Sequence, residues 1–306
     1  MLLQPQAEEA AAEGFNAGEV IIEHVSNSSH DHPIIQLPTL LGIDFSVTKH
    51  VLMLWLVAAF VFLVVTIAVR RYVRQQRLIP SGFMNGLEAV VEYLRDDVVR
   101  PNVGSKYTNT WTPLILTLFF FIFCANVIGL IPIFDVLELL NHSVLHLDES
   151  SVFTRALEGG VTATGNYNVT AGLAMITFFA IIVAGSMAHG FVKHWKNLVP
   201  GGVAPAVGIA LIPIEILGML VRPFALTMRL AANMTGGHIA LLAILSFVFI
   251  FTQMAGAAVG MGVGLVFSVP LAVGISALEI IVVLVQAYVF TLLSAVFIGM
   301  AIHAHH

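Results

Sequence analysis

Ala255-Gly-Ala-Ala-Val-Gly-Met-Gly-Val-Gly264 separates the two longest apolar runs of the chain, roughly Pro205 to Phe251 and Leu265 to Ile302. A stretch so rich in glycine is a natural turn between helices. Equally, Gly256, Gly260 and Gly264, at steps of four, form a stripe of small residues on which another helix packs. The first run is about 70 Å long if helical throughout, more than twice the roughly 30 Å of hydrocarbon in a bilayer. Such a helix must bend or lie steeply tilted, with Pro213 and Pro223 as kink sites and the final run as its antiparallel support.

The rest of the chain agrees with a membrane setting. Of 306 residues, 58% are hydrophobic and only 10% charged, and the mean hydropathy is +0.94. Three further apolar runs, His50 to Val69, Thr112 to Ile131 and Val169 to Ala188, have the length of about 20 residues that a helical span requires. The expected fold is an all-α polytopic membrane protein. It has three N-terminal transmembrane spans, one amphipathic interfacial helix and a long, strongly tilted antiparallel two-helix hairpin.

Charge placement orients these spans. Arg70, Arg71, Arg74 and Arg77 follow the first run and mark its cytoplasmic end by the positive-inside rule. Residues 1–49 therefore form a polar N-terminal segment on the outer side, and residues 50–306 a single integral-membrane domain. The N-terminal segment is acidic, with neither a basic start nor an apolar signal core, so no signal or transit peptide is expected in it. The loop after the second span carries Asp135, Glu138, Asp148, Glu149 and Glu158 against Arg155, and Lys193 and Lys196 follow the third span. Both loops fit this orientation.

Between Arg77 and Pro101, apolar Met84, Leu87, Val91, Leu94 and Val98 step by three and four, opposite Asn85, Glu88, Glu92, Arg95 and Asp96. This is an amphipathic helix, either lying on the cytoplasmic surface or packed on partner subunits. Cys124 is the only cysteine, which excludes an intrachain disulfide and multi-cysteine metal sites. No internal repeat, phosphate-cradling glycine loop or nucleophile elbow is present.

From Asn197 to His306 the formally charged residues are Glu215, Arg222, Arg229 and Glu279. An arginine cannot shed its proton in a protein, and its placement at mid-span costs roughly 2.5–3.5 kcal/mol by insertion scales. Arg229 is therefore a candidate functional residue. With the hairpin apex near residue 258, Arg229 stands opposite Gln286 and His238 opposite Glu279, so that each intramembrane polar group has a partner across one seam. Asn233, one helical turn after Arg229, shares its face. Intramembrane carboxylates such as Glu279 mark ion pathways, and Glu215 is a second candidate.

The run Arg229-Leu-Ala-Ala-Asn233-Met-Thr-Gly-Gly237-His238, preceded by Pro223 and Glu215, closely resembles the signature of the membrane-embedded a subunits of rotary F-type ATP synthases. Leu278-Glu-Ile-Ile-Val-Val-Leu-Val-Gln286-Ala-Tyr-Val-Phe290 resembles the last helix of that family. Ala125-Asn-Val-Ile-Gly-Leu-Ile-Pro132 and Asn168-Val-Thr170 resemble its second and third spans.

The resemblance implies that Arg229 is the essential arginine, with Asn233 and Gln286 as polar neighbours and His238 and Glu279 as the linked pair of one access channel. Some members carry this acid on the first helix and the histidine on the second, the reverse of this chain. Gly129 and Asn166 stand where some members have aspartate, which directs the outer pathway to Asp135, His142 or His146.

The function so implied is that of a proton-translocating stator subunit with two half-channels against a c ring. Peripheral stalk b subunits and the rest of the ATP synthase are further partners. The hairpin starts and ends on the cytoplasmic side, which places His238 and Glu279 on the outer, entry half and Glu215 on the inner, exit half during ATP synthesis. The chain is expected to bind no nucleotide, cofactor, metal or nucleic acid, and to lie in a bacterial plasma membrane, with a mitochondrial inner membrane as the alternative. A different class, a secondary transporter or anion channel in which Arg229 binds an anionic substrate, predicts broken helices and inverted repeats, and neither is found.

Overall fold

A computed structural model describes residues 16–18, 21–22, 46–75, 82–131, 141, 162–196 and 205–303. The main elements are helical: α1 (Lys49–Gln75), α2 (Phe83–Tyr93), a π turn (Leu94–Val99), α3 (Arg100–Val103), α4 (Thr108–Leu130), α5 (Tyr167–His189), α6 (Phe191–Lys196), α7 (Pro205–Ala255), α8 (Ala257–Val263), a second π turn (Gly264–Ser268) and α9 (Val269–Ile302). Five helical stretches among the described residues are long and apolar enough to cross a membrane: Lys49–Arg74, Thr108–Leu130, Tyr167–His189, Leu211–Ala255 and Ala257–Ile302.

Local chemistry sets the boundaries. Asn166 caps α5 by accepting a hydrogen bond from the Asn168 N–H at 2.8 Å, which satisfies one of the donors left open at a helix start. Gly190 ends α5 at φ +87°, a conformation that side chains disfavour. The short α6 then folds back until the His194 imidazole lies against Gly185, where a Cβ would overlap it. Gly256, at φ +90°, makes the corresponding break between α7 and α8. α7 itself has 51 residues and runs through Pro213 and Pro223, about 76 Å at about 1.5 Å per residue.

Contacts divide the chain into two compact units, residues 1–52, 129–161 and 232–282 in one, and 53–128, 162–231 and 283–306 in the other. The second unit holds the main core. Leu94, Val98, Val99 and Val103 pack there with Trp111, Ile115 and Ile122 of α4, Ile181 and Ala184 of α5, Leu226 and Leu230 of α7, and Ala287, Phe290 and Ile298 of α9. The amphipathic segment thus differs from a helix lying free on a surface, because its C-terminal half is core. Leu94, Val98, Val99 and Val103 are all 1% exposed or less, whereas α2 before them buries nothing fully. The helical path also continues past Pro101. The proline stands directly after the π turn, among the first two residues of α3.

Polar contacts tie this unit together. The Thr177 and Ser294 hydroxyls lie 3.1 Å apart, and the Thr164 hydroxyl donates to the side-chain oxygen of Asn126. The Tyr93 ring stacks on Tyr288, with centroids 6.2 Å apart. His189 Nε2 donates to the carbonyl of Ile302 at 3.0 Å, satisfying an end group of α9.

In the first unit, the C-terminal part of α7 runs beside α8 and the start of α9 in the opposite direction. Gly260 abuts Thr252, Gly264 abuts Val248, and Gly237 abuts Glu279. The glycine-rich stretch therefore serves both as a turn, at Gly256, and as a packing stripe, at Gly260 and Gly264. An apolar groove of about 460 Å³ lies between the two helices, lined by Leu241, Leu245, Val269, Ala272, Val273 and Ser276 among others.

Candidate functional site: ionisable groups in the long helices

Arg229 sits between Leu226 and Leu230, which are 2% and 0% exposed and point into the core. Helical geometry turns Arg229 to another side, and the residue is exposed. Val221, Phe224, Ala225 and Met228 are exposed with it, so an apolar face of α7 carries one permanent cation. One heptad earlier, the Arg222 guanidinium lies over the Phe297 ring of α9 at 5.4 Å, a geometry in which the ring face attracts the cation. Glu215 is half-buried a further heptad back. Gln286 belongs to the same unit as these three but is only 5% exposed, beside fully buried Ala287.

Asn233, His238 and Glu279 belong to the other unit. Glu279 is 8% exposed, and its carboxylate occupies the space a side chain would need at Gly237, the residue before His238. His238 is half-buried and Asn233 exposed. Asp135, His142 and His146 lie outside the described residues. Among the described residues no group of three or more His, Cys, Asp or Glu side chains is placed to hold a metal ion.

Sequence reasoning missed Gly237. Its position directly opposite Glu279 about the glycine turn was the available signal, since a buried carboxylate crossing to a neighbouring helix needs a small residue to receive it.

These features define an all-helical, polytopic integral membrane protein with ionisable side chains set into its apolar helices. The family described as ATP synthase A chain matches residues 51–299, and the chain belongs to that family. It is 39% identical to the "ATP synthase subunit a" of Chlorobium phaeobacteroides (strain DSM 266), over 99% of this chain and 80% of that one. It is 36% identical to the protein of the same name from Pelodictyon phaeoclathratiforme, over 97% and 81%. A relative from Myxococcus xanthus, also named subunit a, is 38% identical over 86% of this chain and 75% of its own.

Proposed function

We propose that the chain is the proton-conducting stator subunit of an F-type ATP synthase. Three N-terminal spans anchor it, α2 lies at the cytoplasmic surface, and α7 to α9 form a strongly tilted hairpin against a ring of c subunits. During synthesis protons enter through His238 and Glu279, protonate a ring carboxylate, and leave past Glu215 after almost a full turn. Asp135, His142 or His146 supplies the outer access. Peripheral stalk b subunits hold the chain against rotation, in a bacterial plasma membrane.

The observation that carries this reading is the outward-facing Arg229 on an otherwise apolar face of α7. A fixed cation there favours the ionised form of a carboxylate brought beside it, so an arriving protonated site releases its proton into the exit path. The same charge repels hydronium between the half-channels. Arginine suits the task better than lysine because it cannot itself lose a proton there. The resemblance makes Asn233 and Gln286 the polar residues associated with this arginine.

Inverted membrane vesicles carrying Arg229→Ala test the proposal. ATP-driven acidification, read with a pH-sensitive dye, is expected to vanish while membrane-bound ATP hydrolysis persists. Acidification at the wild-type rate would sink it.

A further inference from the structure

α1 contains no acidic residue, yet it ends in Arg70, Arg71 and Arg74. All three are exposed. Among the described residues none of them meets a carboxylate; the ion pairs found there join Asp96 to Arg95 and Arg100. Membrane burial does not explain the cluster, and neither does an internal partner among those residues.

The arginines continue an apolar stripe. Leu56, Phe60, Leu63, Ile67, Arg70 and Arg74 follow one another at steps of four and three, which places them on one side of a helix. The four apolar members are 46%, 49%, 54% and 54% exposed, whereas Met53 and Val57, on the inward side, are 3% and 0%. From Leu56 to Ile67 the stripe is about 17 Å long at about 1.5 Å per residue, close to half of the roughly 30 Å hydrocarbon core. Its length is that of one leaflet, so with the stripe in the hydrocarbon the guanidinium groups reach headgroup depth. Their forked donors match a phosphodiester in charge and geometry.

We propose that this side of α1 binds one anionic phospholipid of the cytoplasmic leaflet, with the phosphate on Arg70 and Arg74, Arg71 flanking it, and an acyl chain along Leu56 to Ile67. The side of the membrane follows from the positive-inside rule, and the proposal holds whether or not the chain conducts protons. An acidic protein segment would use the arginines but has no need of an apolar stripe one leaflet deep.

Native mass spectrometry of the complex, purified in detergent and given equal amounts of dioleoylphosphatidylglycerol and dioleoylphosphatidylcholine, tests the site. The chain released from the complex should retain the anionic lipid in excess. Arg70→Gln and Arg74→Gln should each lower that excess by about fivefold, the contribution of one basic residue near a charged surface. Glycerophosphoglycerol, which lacks the acyl chains, should not compete at equal concentration. A photo-cross-linking residue at Ile67 of the otherwise unaltered chain should capture lipid. Equal retention of the two lipids, an excess that survives both substitutions, competition by the chainless headgroup, or capture of a polypeptide at position 67 would each overturn the proposal.

Discussion

The carboxylate of Glu279 fills the side-chain space of Gly237, so that a Cβ at 237 overlaps Oε1 and crowds the carbons behind it. A larger residue at 237 forces the acid to move. Gly237→Ala is expected to cost about 1–3 kcal/mol as overpacking, toward the lower end because a carboxylate at the tip of a flexible side chain turns aside. Proton pumping should fall further, on the order of 10- to 100-fold, since displacing a reacting group by about 1 Å has effects of that size. Pumping and detergent melting curves of the same preparation separate the two effects. An unchanged pumping rate would remove Glu279 from the proton path.

The same contact brings Glu279 to the residue next to His238. If histidine and acid work as a linked pair, the double exchange His238→Glu with Glu279→His should retain more pumping than either single exchange. Equal loss in all three variants would argue that the two groups act separately.

Gly299 faces a harder neighbour. A Cβ there overlaps the backbone carbonyl of Asn102, and Asn102 is itself fixed by its side-chain amide donating to the Val98 carbonyl at 2.7 Å. Since backbone gives way less readily than a side-chain tip, Gly299→Ala should destabilise by about 1–3 kcal/mol. Gly274, on the same helix with open space around it, provides the control. Gly274→Ala should stabilise the chain by roughly 0.5–1 kcal/mol through helix propensity alone. Thermal unfolding in detergent reads both, and the two shifts should have opposite signs.

His194 gives a pH dependence. Burial holds its imidazole below the ordinary value of 6.5, and the nearby His189 lowers it further; Nε2 is buried with no hydrogen-bond partner among the described residues. The unfolded chain therefore takes up a proton at a higher pH than the folded one. Stability from this site is full above 6.5 and is lost as the pH falls below it. Wild-type protein should melt earlier at about pH 5.5 than at about pH 7.5, and His194→Leu should narrow the gap. If the variant keeps the whole difference, other groups carry it.

Much of this was legible in the sequence because charge is expensive in lipid. Arg229, Glu279 and Glu215 stand out by isolation alone, and counting outward from the glycine stretch sets Glu279 opposite the turn of α7 that contains Gly237, whose side-chain space its carboxylate fills. Helical periodicity likewise identified the amphipathic segment. It did not reveal how deeply Leu94 to Val103 are buried, because a three-and-four spacing specifies an apolar side without saying what covers it. The Tyr93 and Tyr288 stack and the Asn102 and Gly299 contact join residues far apart in sequence, and no local pattern encodes such meetings. The π turns were equally hidden, since a turn widened by one residue leaves composition unchanged.

The π turn at Gly264–Ser268 has a consequence for how α9 tolerates changes in length. A π turn holds one residue more than an α turn within a continuous helix, so removing one residue there regularises the backbone while the rest of the helix keeps its facing. A deletion between Val269 and Glu279 has no such slack, and it would swing one flank by about 100° against the other, taking Glu279 away from Gly237. Single-residue gaps among natural variants of this helix should therefore gather at Gly264–Ser268 and be absent from the segment that follows.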